Sequence, residues 1–264
     1  MTHIITTYIS KGGTGKTTVT KNLAALSVLK NKRVLILDLD TNGHIATALK
    51  YKESQFEYFL QDWLMGRKTF EEIVMRDETT GVDFIPSNNG LNEVEVHIQL
   101  QQNSNRPKPP NQHLFLKNKI DKIKHLYDYI FIDTHPSGVN NLVPMAVIAS
   151  TKVLIPVRVD EKDEKQMIES VEDIQGFVNS GYEMDYYVIP NAVDLRSMKE
   201  EHGYLLDTLN EMNVKNVSEP IRYSTAVGKN SFKVVDLTKA PSAGAKKIIS
   251  DYEKLYQTVF GGDK

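Results

Sequence analysis

The sequence predicts an α/β fold in which a mostly parallel twisted sheet is flanked by helices on both faces. Two observations predict it. Short runs rich in β-branched and aromatic residues alternate with segments of helical periodicity along the chain. Several of these runs are almost continuously apolar, as in strands that are covered on both faces. The length of 264 residues suits one α/β unit with a large core, so we expect a single domain over residues 1–264.

The expected strands follow these runs, for example "RVLILDL" and "YDYIFID", which carry an aspartate next to or at their carboxyl end. In chain order the strands are expected at 4–9, 33–39, 82–87, 127–133, 152–159 and 185–193. Helical periodicity predicts helices at 15–31, 55–65, 91–103, 113–126, 140–149, 163–180, 198–211 and 243–258. The stretch 101–112, "QQNSNRPKPPNQ", contains three prolines and is therefore predicted to be a surface loop within the domain.

The composition excludes several classes of function. Hydrophobic residues make up 40% and charged residues 25%, which is ordinary for a soluble globular protein. A net charge of −2 argues against a globally basic DNA-coating protein but leaves room for a local basic patch. The absence of cysteine excludes disulfides, thiolate metal sites, cysteine nucleophiles and cysteine-ligated iron–sulfur clusters. With no signal peptide and no apolar run near the roughly 20 residues of a membrane span, we expect a cytoplasmic protein.

A glycine-rich loop lies between the first expected strand and the first expected helix. Backbone N–H groups at the N-terminus of a helix bind anions. Lys16 is expected to reach the β- and γ-phosphates of a nucleotide, and the Thr17 hydroxyl to ligate Mg²⁺. The ordinary pattern G-x-x-x-x-G-K-[ST] requires glycine at position 10, where this chain has Ser10. The expected nucleotide contacts are Lys11, Gly12, Gly13, Thr14, Gly15, Lys16, Thr17 and Thr18; the alternative is a turn with solvated lysines.

The string "KGGTGKT" resembles the deviant Walker A motif of the ParA/MinD family of P-loop ATPases. The resemblance implies a P-loop NTPase fold, ATP and Mg²⁺ as cofactors, and catalytic roles for both lysines of the loop. It further implies that Lys11 projects into the nucleotide site of a second subunit in an ATP-dependent homodimer. A γ-phosphate with its Mg²⁺ still carries net negative charge, which a partner's lysine neutralises only when two subunits face each other.

The segment "LILDLDTNGH" resembles the D-x-D-P-Q-G-N switch of the same family. By that resemblance Asp40 orients or activates the attacking water, and Asp38 supports Mg²⁺ through its waters. Thr41, Asn42 and His44 replace the usual proline, glutamine and asparagine. From the residues alone, the two carboxylates could equally be a solvated pair at the end of a strand.

The segment "YDYIFIDTHPSG" resembles the Walker B and switch II region, commonly D-x-P-P-S. A carboxylate at the carboxyl end of a parallel strand faces the ligand crevice, so Asp133 is expected to hold Mg²⁺ through water. His135 stands in the place of the first proline, and a general-base role for it is left open. Asn191 follows the last expected strand where the family presents an asparagine to adenine; the alternative is a turn asparagine that caps the next element.

Several branches of the family do not suit this chain. The nitrogenase iron-protein and scaffold branches need cysteines to hold a cluster. A MinD-type protein would end in a basic amphipathic helix on the membrane. Here the tail is apolar on one face but mixed in charge on the other, which favours packing in the core. Tyr252 and Tyr256 have helical spacing and also suit the core better than the tyrosine cluster of a bacterial tyrosine kinase.

The remaining branch is the ParA-type partition ATPase. Its members bind nonspecific double-stranded DNA as ATP dimers, and a ParB-type centromere-binding protein releases them by stimulating slow hydrolysis. We therefore expect a cytoplasmic protein that associates with the nucleoid when ATP is bound. The first expected strand begins at residue 4, which leaves no room for an N-terminal helix-turn-helix. In this respect the chain resembles the small form of this branch. A MinD-like positioning ATPase acting on a membrane or protein cargo is the alternative. The candidate DNA contacts are Arg196, Lys199, Arg222, Lys229, Lys233, Lys246 and Lys247.

Overall fold

The computed structural model contains a seven-stranded sheet in the order β3-β4-β2-β5-β1-β6-β7. It describes residues 2–103, 111–135, 142–160, 163–194, 198–223 and 243–262. All neighbouring strands are parallel except β3, which is antiparallel to β4. The strands are β1 His3–Thr7, β2 Val34–Leu39, β3 Met75–Arg76, β4 Asp83–Ile85, β5 Tyr129–Thr134, β6 Lys152–Arg158 and β7 Asp185–Asn191.

Helices of the described chain cover both faces of this sheet. They are α1 Lys16–Leu29, α2 His44–Ala48, α3 Leu60–Leu64, α4 Phe70–Ile73, α5 Asn92–Asn103, α6 Phe115–Ile120, α7 Leu142–Ala149, α8 Glu164–Asn179, α9 Met198–Glu211 and α10 Ala243–Phe260. Within this part of the chain, none of the helices is both long enough and apolar enough to cross a bilayer.

The alternation of side chains along the central strands explains why these strands read as continuous apolar runs. In β2, Val34 and Ile36 pack into one core with α1 and α10, whereas Leu35 and Leu37 pack into a second core with α3, α5, α6 and α7. Successive residues of a strand point to opposite faces, so a strand with helices on both faces needs apolar residues at every position. The predicted α/β fold with a mostly parallel sheet is confirmed.

The last helix contributes its apolar face to the core. Phe260 stacks on Tyr129 of β5 with ring centroids 4.6 Å apart. Tyr129 and Tyr256 also bring their hydroxyl groups to 3.2 Å. The apolar residues that the sequence places on one face of this helix are buried; they are Ile248, Tyr252, Leu255, Tyr256, Val259 and Phe260. The tail helix thus packs in the core, as its pattern indicated.

The six expected strands all occur, with ends that shift by at most two residues, and β3 was not predicted. The expected helix at 55–65 is wrong over its first half. Residues Phe56 and Phe59 are extended, and Phe56 packs against Tyr51 and Phe84 with centroids 5.9 and 6.1 Å away. This aromatic packing overrides the helical spacing of the apolar residues. The expected helix at 113–126 is reduced to α6 with a short 3₁₀ turn on each side.

Candidate functional site

The loop between β1 and α1 is shaped by two glycines in the left-handed region. Gly13 has φ of 79° and Gly15 has φ of 99°. Gly15 is also the residue that precedes α1, and a Cβ placed on it would lie 2.2 Å from Nδ2 of Asn191. Both the backbone angle and this close approach therefore require glycine. The result is a tight loop that leads directly into the N-terminus of α1, where backbone N–H groups favour an anion.

Lys16 lies inside this loop. The residue is 6% exposed, and Nζ donates hydrogen bonds to the backbone oxygens of Ile9 at 3.2 Å and Lys11 at 2.9 Å. Burial lowers the pKa of Lys16 to about 8, although the nearby carboxylates of Asp133 and Asp40 oppose this shift. Within the described part of the chain, the hydrogen bonds of this buried cation go to backbone oxygens and the carboxylates are more distant, so it is well placed to receive a phosphate.

Three neighbouring strands bring polar residues to the same edge of the sheet. Asp133 of β5 pairs in register with Asp38 of β2 on one side and with Thr7 of β1 on the other. The hydroxyl of Thr17 in α1 donates a 2.6 Å hydrogen bond to Oδ2 of Asp133. The structure therefore gathers the three predicted metal-binding residues Thr17, Asp38 and Asp133 at one edge, as the parallel arrangement requires.

The electrostatics of this edge favour a bound cation. Burial raises the pKa of Asp133 to about 6, even though the hydrogen bond from Thr17 and the charge of Lys16 lower it. Burial and the neighbouring charge of Asp133 raise the pKa of Asp38 well above its ordinary range. Two buried carboxyl groups in adjacent positions disfavour ionisation unless a cation compensates. Carboxylate and hydroxyl oxygens are ligands that suit Mg²⁺, so the donor set fits this ion.

Asp38 also shapes the loop that follows it. One carboxylate oxygen accepts a hydrogen bond from the backbone N of Asp40 at 3.0 Å, and the other accepts from the backbone N of Ile45 at 2.9 Å. This second role of Asp38 has no signal in the sequence. It means that Asp38 ties the strand end to the start of α2, and that its substitution would change the shape of the loop as well as the metal-binding edge.

Asp40 is buried, and its carboxylate accepts hydrogen bonds at both oxygens. Nδ1 of His44 is 2.8 Å from Oδ2, while the backbone N and the side-chain Nδ2 of Asn42 both donate to Oδ1 at 2.9 Å. Burial raises the pKa of Asp40, but these hydrogen bonds outweigh burial and hold it below its ordinary value. Nε2 of His135 lies 4.0 Å from Oδ1. Asp40 is therefore a fixed and ionised carboxylate at the edge where the phosphates would lie.

Lys11 lies apart from Lys16. Its ammonium group is paired with the carboxylate of Asp163, the residue immediately before α8, and the two side chains are 35% and 8% exposed. Further contacts join the same loop to α8: the hydroxyl of Tyr8 donates to Asp173 at 2.6 Å, and the backbone N of Ser10 donates to Ser170 at 3.2 Å. The two lysines of the loop thus have different surroundings.

The pairing of Lys11 with Asp163 was missed from the sequence. The two residues are 152 positions apart. The strand order explains why the two residues meet, because β6 lies next to β1 in the sheet and α8 follows β6. The carboxyl end of β6 therefore meets the phosphate loop, and the acidic segment "VDEKDE" at 159–164 begins there.

Asn191 lies at the end of β7 against the phosphate loop. Its Nδ2 donates a 2.7 Å hydrogen bond to the backbone oxygen of Thr14, and the residue is 7% exposed. This contact fixes the loop from a distant part of the chain. It adds a structural role to the adenine contact, which stays a prediction.

The candidate DNA contacts are only partly covered by the structure. Arg222 makes a bidentate ion pair with the buried Asp251, with N···O distances of 2.6 and 2.7 Å. Its guanidinium group thus has a structural partner in α10. Lys246 and Lys247 are exposed near the start of the same helix. Arg196, Lys229 and Lys233 lie outside the described residues.

Replacement of Asp133 by asparagine is expected to stabilise the protein when Mg²⁺ and nucleotide are absent. Because burial raises the pKa of Asp133 from 3.8 to about 6, its contribution to stability is full below about pH 4 and is lost as the pH rises through 6. Asparagine carries no charge at any pH. In EDTA at pH 8 we expect Asp133→Asn to unfold at higher urea, with about 1–3 kcal/mol more stability, and to match the wild type near pH 4.

The matched control for this experiment is Asp128→Asn. Asp128 precedes the same strand, and its hydrogen bond from Arg33 lowers its pKa, so its replacement should destabilise the protein at pH 8. Asp133→Asn should at the same time lose the gain in ATP affinity that Mg²⁺ confers. If Asp133→Asn is no more stable than the wild type at pH 8, burial of the ionised Asp133 carboxylate does not destabilise the protein.

Together, the loop, the buried lysine and the three carboxylates at the strand ends have the arrangement expected of a P-loop nucleotide-binding site. Residues 2–184 match the family AAA_31, described as an AAA domain. This match, together with the similarity to the relatives described below, shows that the chain belongs to the ParA/MinD family of P-loop ATPases.

Two curated relatives illustrate the family. The sporulation initiation inhibitor protein Soj of Bacillus subtilis is 28% identical over 254 residues, which cover 95% of this chain and 92% of Soj. The chromosome partitioning protein ParA of Caulobacter vibrioides is 28% identical over 197 residues, which cover 72% of this chain and 70% of ParA. The similarity therefore extends over most of both chains.

Solved structures share the fold at lower identity. Apo McdA from Cyanothece superposes with a TM-score of 0.81 at 18% identity and covers 98% of this chain and 100% of its own. Cobyrinic acid a,c-diamide synthase from Mycobacterium smegmatis, bound to an ATP analogue and magnesium, has a TM-score of 0.76 at 20% identity. That match covers 100% of this chain and 98% of the synthase. Proteins with different names thus share this architecture, so the fold alone does not define the role.

Proposed function

We propose that the chain is a single-domain ATPase switch for DNA partitioning. It dimerises with ATP, binds nonspecific double-stranded DNA as the ATP dimer, and is released when a ParB-type centromere-binding partner stimulates its slow hydrolysis. It is cytoplasmic and associates with the nucleoid in the ATP state. The observation that carries the proposal is the separation of the two loop lysines: Lys16 lies inside the loop, whereas Lys11 pairs with Asp163 on its flank.

ATP and Mg²⁺ fit the residues present. The loop N–H groups and Lys16 would hold the phosphates, and Thr17, Asp38 and Asp133 would hold Mg²⁺, directly or through water. Among the described residues, no group of three or more His, Cys, Asp or Glu side chains could hold a metal by itself. Mg²⁺ commonly takes one or two carboxylates together with substrate phosphates. When bound, it would neutralise charge on the phosphates, and the related synthase bound to an ATP analogue and magnesium supports this assignment.

Asp40 is the residue that we assign to the attacking water. Its carboxylate is held on both oxygens and stays ionised, so it can accept a hydrogen bond from water at a defined position. A positioned carboxylate orients the nucleophile without moving during the reaction. Its hydrogen-bonded geometry supports this assignment over that of a solvated pair.

Lys11 is assigned to the partner's nucleotide. Since Lys16 already supplies the cation inside the loop, a second lysine at its mouth can neutralise charge on a facing subunit once it leaves Asp163. Two nucleotide-bearing faces repel through their phosphates unless each subunit gives the other a cation. Dimerisation would then depend on ATP.

The DNA assignment is supported by the name of the chromosome partitioning relative and by exposed cations on α10. Lys246 and Lys247 are exposed on the helix that packs against the sheet through its other face. Such residues bind phosphates without reading sequence. Arg222 is less suitable as a probe, because its bidentate pair with Asp251 means that a charge reversal would disturb folding.

The test is the salt dependence of ATP-dependent binding to arbitrary duplex DNA. If the dimer contacts six or more phosphates, affinity should fall about 10³-fold or more between 50 and 200 mM salt. Lys246→Glu combined with Lys247→Glu should weaken binding alike for every sequence and spare ATP-driven dimerisation. The matched control reverses Lys117 and Lys122, which lie with α6 on the opposite face of the sheet.

A chain that binds ATP and dimerises but holds no DNA at low salt would contradict the partition role. That result would favour the MinD-like alternative, a positioning ATPase that acts on a protein or membrane cargo. The burial of the apolar face of α10 in the core argues against that helix as a membrane anchor. Binding to liposomes would then distinguish a membrane cargo from a protein cargo.

A further inference from the structure

The carboxylate of Asp40 is held by residues that follow it within a single tight loop. The backbone oxygen of Asp40 accepts hydrogen bonds from Gly43 N at 3.0 Å and from the hydroxyl of Ser87 at 2.6 Å. Gly43 has φ of 62°, and a Cβ on it would lie 2.6 Å from the backbone oxygen of Ser87. The loop therefore has little freedom, and it turns the first residue of α2, His44, back onto Asp40.

Asn42 and His44 hydrogen-bond to different oxygens of the Asp40 carboxylate. The backbone N and the side-chain Nδ2 of Asn42 both donate to Oδ1, and Nδ1 of His44 lies 2.8 Å from Oδ2. The carboxylate partner identifies Nδ1 as the protonated nitrogen of the ring. Since a carboxylate oxygen has two lone pairs, Oδ2 can share its acceptor capacity between His44 and a water.

The exposures of Asp40 and His44 show on which side of the carboxylate the imidazole ring lies. The side chain of Asp40 is 3% exposed and that of His44 is 53% exposed. The ring thus lies at the open side of the carboxylate. Without it, the buried carboxylate would keep its donors on Oδ1 but would lose the one that fixes Oδ2, and rotation about the last side-chain bond would cost less.

We propose that His44 is a positioning residue that orients Asp40 for the attacking water. The inference rests on the proposed function, in which Asp40 holds that water. His44 is one of the positions where this chain departs from the D-x-D-P-Q-G-N pattern, which has asparagine there. Nδ2 of asparagine and Nδ1 of histidine are both two bonds from Cβ, so an asparagine can place a donor where Nδ1 now lies.

That equivalence gives a matched series of variants. His44→Asn keeps the donor and removes the rest of the ring, His44→Asp puts a repelling carboxylate in the same place, and His44→Ala removes both. The readouts are single-turnover hydrolysis of radiolabelled Mg²⁺-ATP and ATP affinity by calorimetry, with thermal unfolding as the check on folding. A purely structural role would not separate the asparagine variant from the aspartate variant in the single-turnover rate while ATP affinity stays constant.

We expect His44→Ala to lower the hydrolysis rate by about 10-fold or more, with ATP affinity within about 3-fold of the wild type. His44→Asn should recover to within about 3-fold of the wild-type rate, and His44→Asp should be at least as slow as His44→Ala. In an Asp40→Ala background, His44→Ala should cause no further loss, because it acts through Asp40.

Three results would overturn the inference while leaving the proposed function intact. These are wild-type hydrolysis by His44→Ala, no recovery in His44→Asn, and additive losses in the double variant. A wild-type chain that binds ATP but never hydrolyses it would contradict the proposed function itself, and the inference with it. The two failures are therefore distinguishable in the same set of measurements.

Discussion

Lys16→Ala is expected to abolish ATP binding. Lys16 is the buried cation of the phosphate loop, and its Nζ bridges the backbone oxygens of Ile9 and Lys11. Its removal takes away the charge that faces the phosphates and the hydrogen bonds that close the loop. Calorimetry should show a loss of affinity of at least about 100-fold, which corresponds to a charge-assisted contact of about 3 kcal/mol.

The pH dependence of the wild type gives a second measure of the same contact. Because burial lowers the pKa of Lys16 to about 8, the free protein loses this charge as the pH rises above 8. Bound phosphate favours the charged form, so binding above pH 8 must take up a proton and ATP affinity should decline there. Near-wild-type affinity of Lys16→Ala would refute the assignment of the loop to nucleotide.

A second buried lysine in the same helix provides the control. Lys21 is 2% exposed and donates to the backbone oxygen of Ala48 at 3.2 Å, away from the phosphate loop. Lys21→Met should lower the unfolding temperature and leave ATP affinity within about 3-fold of the wild type. The comparison separates the loss of a buried lysine in general from the loss of the phosphate ligand.

Lys11→Ala is expected to uncouple ATP binding from dimerisation. If Lys11 acts on the partner's nucleotide, the monomer should bind ATP with nearly unchanged affinity. ATP-dependent dimerisation should weaken by about 100-fold or more, since truncation of one member of an interfacial charge pair costs about 2–5 kcal/mol. Hydrolysis and DNA binding should be lost with it. Analytical ultracentrifugation with ATP, alongside calorimetry, measures both effects.

Asp163→Asn distinguishes a role in the partner from a role within the chain. This variant removes the carboxylate that pairs with Lys11 but keeps the lysine. If the ion pair within one chain is what matters, Asp163→Asn should dimerise as poorly as Lys11→Ala. If Lys11 acts across the interface, Asp163→Asn should dimerise at least as well as the wild type, because the lysine is no longer held on its own subunit.

Much of the fold could be predicted from local patterns. Strands β2 and β5 are apolar at each position before their aspartate because both faces are covered, and this pattern is visible without any knowledge of contacts. Short elements could not be predicted in this way. The first half of the expected helix at 55–65 is extended because Phe56 packs against Tyr51 and Phe84, and β3 has only two residues.

In the candidate site, too, some features could be predicted from the sequence and others depend on contacts between distant residues. The location of Lys16 in the loop, and of Thr17, Asp38 and Asp133 at one edge of the sheet, could be predicted from motif and topology, because the carboxyl ends of parallel strands meet at one edge. The partners of these residues depend on contacts far apart in sequence, which no local pattern contains. Asp163 beside Lys11 is such a partner.

His44 is a different case. It lies four residues after Asp40, at the spacing of neighbours on a helix, so its sequence position is compatible with contact. It could be described from the sequence only as a replacement for asparagine in the switch segment. Its hydrogen bond to Asp40 depends on the tight turn at Gly43, which becomes visible only in the folded loop.

In the proposed dimer each nucleotide site is completed by a lysine from the other subunit, and mixing two variants can show whether this is so. Lys11→Ala and Asp40→Ala are each expected to retain only a small residual rate of hydrolysis. In a heterodimer of the two, one composite site carries both lesions and the other is intact, because Lys11 acts in trans and Asp40 in cis. Mixed in equal amounts before ATP is added, the variants should regain hydrolysis at up to about half of the sites in each heterodimer. No recovery, with heterodimers detected by native mass spectrometry, would contradict the account and place the action of Lys11 within its own chain.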